Sequence, residues 1–157
     1  MDLVIAMDIA KRKMKQYNLD DWQLGINERA SSLGVCKYKI KTIELSRKFI
    51  ALNEEHVITN TILHEIAHAL EWIRHGTRGH QYRWKTIAKE VGCRPESRTK
   101  NCIQPEKKYI TICRIHGETG KSNLKKNSAC RLCCNLYNKG EYSEKYKLTY
   151  KRNEKLN

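Results

Sequence analysis

The sequence predicts an α+β protein, with helices packed on a small three-stranded sheet and a small metal-stabilised module after it. Three observations carry that prediction. Two segments with apolar residues at helical spacing enclose three short strand-like runs. A polar stretch holding both prolines, Pro95 and Pro105, follows. Beyond it the pattern changes to short Ile/Tyr-bearing runs punctuated by Cys, His and Gly. At 157 residues the chain has room for one ordinary core and a small appendage, so the two parts are expected at 1–105 and 106–157.

Leu3, Met7, Ala10, Met14 and Tyr17 recur at helical spacing with lysines around the other face, giving a first amphipathic helix that stops near Asn18. Trp22 to Asn27 alternates apolar and polar residues as a strand does. After a turn at Gly34, Val35 to Tyr38 and Thr42 to Ser46 supply two more strands, so a small, mainly antiparallel sheet is expected. Asn53 is placed to cap a long helix whose apolar face runs from Val57 through Ile73 and ends near Gly76. The next helix begins at His80 or Gln81, turns Trp84, Ile87, Ala88 and Val91 inward, and ends at Gly92. Arg94 to Lys108 reads as the linker.

The composition narrows the function before any motif is considered. With 31% charged residues, 39% hydrophobic residues and a mean hydropathy of -0.74, the chain has no apolar run approaching the roughly 18 residues that cross a bilayer. The apolar start Leu3 to Met7 stops at Asp8, too early for a signal-peptide core, so an intracellular location is expected, in the cytoplasm or nucleoid of a bacterium or in a virus-infected cell. There, seven cysteines point to reduced thiols and metal ligation rather than to disulfides. The net charge of +14 calls for a polyanionic partner, and the excess is uneven: residues 81–157 hold 19 Lys/Arg against 7 Asp/Glu.

His64-Glu65-Ile66-Ala67-His68 is an H-E-x-x-H motif within the longest helical pattern. Positions i and i+4 of a helix share a face, so two imidazoles can hold one Zn²⁺ while the intervening Glu65 reaches a water bound to it. A catalytic zinc needs a third protein ligand. A histidine six residues after His68 would fall on Arg74, and His75 is one residue out of register, on the surface. His80 is favoured, because Gly76 and Gly79 permit a reversal that returns it to the first two. His56 has no such support.

The strings Trp22 to Asn27 with Arg29, Gly34-Val35-Cys36, Ile43-Glu44-Leu45-Ser46, Thr61 to Ala69 and Gly79-His80-x-x-x-Trp84 resemble the SprT-like family, over residues 3 to 150. The resemblance implies a zincin-like metalloprotease core, with His64, His68 and His80 as ligands of a catalytic zinc and Glu65 as the base. In Spartan-type members it implies DNA-stimulated cleavage of DNA-bound or DNA-crosslinked proteins. It also implies a C-terminal zinc ribbon, whose first ligand pair is commonly Cys-x-x-Cys.

Here the spacing is Cys113-x-x-His116 followed by Cys130-x-x-Cys133, two ligand pairs suited to one structural zinc, with Cys134 competing with Cys133 for the last place. Cys36, Cys93 and Cys102 lack partners at ligand spacing and read as buried or incidental thiols. Lys121, Lys125, Lys126, Arg131, Lys145 and Lys147, interleaved with tyrosines, are candidates for contacting single-stranded or distorted DNA.

The expected function is a zinc-dependent metalloendopeptidase, its zinc-bound water activated by Glu65, acting on DNA-associated or DNA-crosslinked proteins, with the basic C-terminal module on DNA. A protein substrate is expected to lie along an edge strand, with Thr42 to Ser46 the nearest candidate. The alternatives are a non-catalytic zinc-containing DNA-binding protein and, less favoured, a zinc-dependent nuclease. The first would need a fourth protein ligand. The second would be recognised by its product.

Overall fold

The computed structural model describes residues 1–97 and 101–156, and the chain divides into two compact units, Met1–Pro105 and Glu106–Asn157. Residues 98–100, part of the segment read as a linker, lie outside the described residues. Among the described residues no helix is long and apolar enough to cross a membrane.

The first unit opens with α1 (Leu3–Gln16), capped by Asp2, whose carboxylate accepts from the amides of Val4 and Ile5. Its core face is Ala6, Ile9, Ala10 and Met14 rather than the expected stripe through Met7, which is half-exposed. Leu3 and Tyr17 pack at the margin of the core, and the Tyr17 hydroxyl donates to the Val91 carbonyl.

Three strands follow: β1 (Gln23–Asn27), β2 (Gly34–Lys37) and β3 (Thr42–Ser46). The sheet order is β1-β3-β2, so β3 lies in the middle, antiparallel to β2 and parallel to β1. The sheet is therefore mixed, which corrects the mainly antiparallel expectation. A 3-10 turn at Tyr38–Ile40, closed by Lys41 at φ 44°, folds β3 back along β2. The chain direction of β1 then makes the other pairing parallel. Thr42, Ile43, Leu45 and Ser46 are all buried, so both faces of β3 are covered, whereas a one-faced strand would alternate.

Ser46 begins a short helix, α2 (Arg47–Leu52), that buries Phe49 and Ile50 and was not legible from periodicity. Asn53 does not cap the following helix, as its position suggested. Its side chain donates to the carbonyls of Phe49 and Ile103 and accepts from the Ile103 amide, joining the end of α2 to the segment before Pro105. Glu54 takes the N-cap position of α3 (Glu55–His75), without a side-chain cap bond. This helix ends as expected at Gly76, in the left-handed conformation at φ 63°. After the turn, α4 (Tyr82–Glu90) buries Trp84, Ile87 and Ala88 against the same core.

The second unit is a three-stranded antiparallel sheet, β4 (Tyr109–Cys113), β5 (Gly117–Ser122) and β6 (Thr149–Arg152), in the order β5-β4-β6. A short helix, α5 (Arg131–Tyr137), completes it. Among the described residues its hydrophobic core is Cys113, Cys130, Cys133, Cys134 and Tyr146, with Ala129 and Leu148 at the edge. So few apolar side chains bury little surface against the ordering of some fifty residues.

Candidate active site

Three histidines meet at the junction of α3, the turn after it and the start of α4. His64 and His68 project from successive turns of α3, and the Gly76–Gly79 reversal, with φ of 63° and 118° at its two glycines, returns His80 to them. The Nε2 atom of His80 lies 3.0 Å from that of His64 and 3.1 Å from that of His68. With Zn–N bonds of about 2.05 Å, the edge of a tetrahedral ligand set is about 3.3 Å, so the three nitrogens fit a single zinc closely. Neutral imidazoles carry one N–H each, so three such nitrogens cannot satisfy one another without lone pairs facing lone pairs; a shared cation resolves the conflict.

The electrostatics agree with ligation. Burial, reinforced by His80, lowers the His64 pKa to about 4. Burial, reinforced by His64 and His80, lowers that of His68 to about 3, and burial also lowers His80. His64 and His68 are thereby neutral at physiological pH, as metal ligation requires, and the shift at His80 runs the same way. Beneath them lies Trp84, fully buried, its ring centroid 4.7 Å from that of His64, 5.3 Å from His68 and 4.5 Å from His80. This apolar floor closes the core side of the site to water. Among the described residues no carboxylate or thiol joins the three imidazoles within donor distance, which leaves a fourth coordination position open.

Glu65, between the two helical ligands, is 6% exposed. Burial raises its pKa to about 8, while a hydrogen bond from the Cys36 backbone pulls the other way. The strand β2 comes so close that a Cβ on Gly34 would lie 2.8 Å from Glu65 Cγ and 3.0 Å from its Oε1. Gly34 was read as a turn residue; its role here is close approach. A cleft of about 430 Å³ opens beside this pair, lined among others by Ser31, Gly34, Thr61, His64, Glu65 and Cys102.

The SprT-like family model matches residues 6–108. The chain belongs to the SprT-like family. Among solved structures it is similar to the metallopeptidase zymogen jannalysin of Methanocaldococcus jannaschii, at 18% identity over 61% of this chain and 84% of that chain, with a TM-score of 0.46. No curated protein matches it. The family match stops just short of β4, so the second unit stands on its own geometry.

In that unit, one ligand atom from each of Cys113, His116, Cys130 and Cys133 lies within 4.8 Å of the others. His116 Nδ1 is 3.7, 3.5 and 3.4 Å from the three sulfurs. Burial raises the Cys113 thiol, but the His116 and Ile115 backbone amides together with the His116 and Cys133 side chains hold its pKa down to about 6. Cys134, buried nearby, is outside the cluster.

Of the six basic residues singled out for DNA, all are exposed, but Lys121 is paired with Glu106 and Lys147 with Glu144. Lys125 lies over the Tyr109 ring and Lys145 over that of Tyr146, which is itself buried. His56 and His75 are exposed and apart from the site. Thr42 to Ser46 cannot serve as a docking edge, because β3 is flanked on both sides; the edge next to Glu65 is β2. Of the cysteines set aside, Cys36 and Cys93 are buried, the latter donating to the Asn60 carbonyl, whereas Cys102 faces the cleft.

Proposed function

We propose that this SprT-like chain is a zinc-dependent endopeptidase that cuts proteins associated with or crosslinked to DNA, with the 106–157 unit as its DNA-binding module. The observation that carries the hydrolytic reading is the convergence of three imidazole nitrogens beside Glu65, a buried carboxylate on the helix that supplies two of them. A zinc ion held by His64, His68 and His80 would supply Lewis acidity and lower the pKa of a bound water from about 16 to about 7. With a cation among the histidines favouring its ionised form over the protonated form that burial favours, Glu65 takes a proton from the attacking water and returns it to the leaving amine. Gly34 and the Cys36 amide keep its carboxylate against β2, and Trp84 excludes water from beneath the histidines. An extended substrate segment would add to the outer edge of β2, placing its scissile bond over Glu65.

The DNA reading rests on charge. Residues 106–157 carry 13 Lys/Arg against 5 Asp/Glu. A second zinc at Cys113, His116, Cys130 and Cys133 would hold that surface together as a ribbon-like fold. Phosphate attraction by such a unit is sequence-independent and falls with salt.

The test is cleavage of a basic DNA-binding protein by the zinc-loaded chain, with and without single-stranded DNA. Fragments that appear or increase with DNA support the proposal. Intact protein with DNA still bound would favour a non-catalytic DNA-binding protein, and a nicked nucleic acid would favour a nuclease.

A further inference from the structure

The core of the first unit encloses two carboxylates among the described residues, and Glu65 accounts for only one. The other is Glu71, on α3 three residues beyond His68 and 2% exposed. An apolar residue there would fill the same space without desolvating a charge, so an acid must be answered by something it holds. One carboxylate oxygen, Oε1, accepts a hydrogen bond from the Thr77 hydroxyl at 3.1 Å. The other, Oε2, is buried without a hydrogen-bond partner.

Thr77 sits inside the reversal that carries His80 back to the other two histidines, three residues before it. The bond from Thr77 to Glu71 therefore ties this turn to α3 one helical turn beyond His68. Arg78, next in the turn, has its guanidinium over the rings of Tyr38 and Trp72, at 5.0 and 4.7 Å from their centroids, and is exposed. The electrostatic influence of Glu71 reaches His80, opposing the effect of burial there. A divalent cation among the imidazoles would bring a positive charge within the electrostatic reach that Glu71 already has at His80. Carboxylates that accept from metal-bound histidines fix ring orientation and raise affinity directly; Glu71 accepts from Thr77 instead, so it acts on His80 through the turn.

We propose that Glu71 is a positioning residue of the metal centre: it anchors the 76–79 turn through Thr77, holds His80 in its ligand pose and supplies the buried negative charge that favours a divalent cation there. The proposal rests on the metal-centre reading given above. It assigns Glu71 no contact with substrate, and it makes a signed statement that packing alone would not. Without metal, the Glu71 carboxyl leaves one oxygen buried and unpartnered, which weakens the fold; with metal, it strengthens the site.

The experiment compares the full chain with Glu71→Gln, Thr77→Val and His80→Ala, using cobalt and zinc as probes. Thermal midpoints are taken with and without metal. Cobalt titration separates the sites, because the cysteine cluster gives a thiolate charge-transfer band and the histidine cluster does not. Glu71→Gln, which can still accept from Thr77, is expected to melt at or above the wild-type temperature when metal-free. Its affinity at the histidine site should nevertheless fall about 10- to 100-fold. Thr77→Val should fall by less, with the thiolate band unchanged in both. A Glu71→Gln affinity within twofold of wild type would overturn the proposal, as would a metal-free midpoint lowered in step with the affinity. If His80→Ala leaves metal stoichiometry unchanged, the histidine centre itself is wrong and the role of Glu71 falls with it.

Discussion

Replacing Gly34 by alanine perturbs Glu65 with little else disturbed. Gly34 is not at positive φ, so alanine fits its backbone, and its pairing with Leu45 across β2 and β3 uses main-chain atoms that remain. The added methyl would meet Glu65 Cγ at 2.8 Å, so the side chain must retreat about 0.6 Å to reach ordinary contact at 3.4 Å. Glu65 is buried and has little room to do so. A misplacement of about 1 Å can lower a rate about 100-fold, so about 0.6 Å corresponds to roughly 10- to 30-fold in kcat. That is about 1.4–2 kcal/mol of transition-state stabilisation. The ligating nitrogens are untouched, so zinc content should stay at the wild-type value and KM should change little. The assay is steady-state cleavage of a fluorogenic protein substrate alongside metal analysis of the same sample. A kcat within twofold of wild type would refute the claim that β2 sets the position of Glu65.

Trp84→Ala should destabilise the first unit by about 3–5 kcal/mol, read from urea unfolding, because it empties a fully buried site beneath the histidines. Cys130→Ser, or strong chelation, should release amide protection in residues 106–157 while the α3 amides stay protected, as measured by hydrogen exchange; uniform protection would mean that the cysteine cluster does not hold that unit. The Lys37 ammonium holds the Glu44 carboxyl below its ordinary range against the opposing effect of burial, with the Asn27 amide adding to the lowering. Its folded pKa is thus lower than its unfolded one, so the stabilisation is complete above the ordinary carboxylate range and is lost as the pH falls through the depressed value. The stability gap between wild type and Glu44→Gln should therefore shrink on acidification, and a gap that grows would contradict this reading. Lys125→Gln and Lys126→Gln should each flatten the salt dependence of single-stranded DNA binding by about 0.7 in log–log slope if each contacts a phosphate.

The long helix α3 was legible because its apolar period, its terminal glycine and the H-E-x-x-H spacing are all local features. Gly76 and Gly79 marked the reversal that returns His80 for the same reason. What escaped is non-local. Alternation in β1, β2 and β3 shows strands but not their order, and it hid the central place of β3 and the parallel pairing with β1. The six residues of α2 are too few for a helical period. Asn53 has the chemistry of a cap, and only the distant Ile103 backbone shows where its hydrogen bonds go. Glu71 looks in the sequence like any polar residue on an amphipathic helix. Its burial, and the bond it accepts from Thr77 beyond the helix end, show only in the folded chain. Gly34 likewise carries no signal for its contact with Glu65, which lies 31 positions away in sequence. In the second unit the ligand spacing was readable, whereas the choice of Cys133 over Cys134 depends on how α5 starts.

The central claim is that Glu65 works on a water at a zinc centre built by His64, His68 and His80. Its most direct test is Glu65→Gln, loaded with zinc and assayed on a DNA-bound protein beside the wild type. Zinc content and DNA binding equal to wild type, with cleavage reduced at least about 1000-fold, is the result expected of a lost general base in a hydrolytic site. Cleavage by Glu65→Gln at a rate near that of the wild type would contradict the claim.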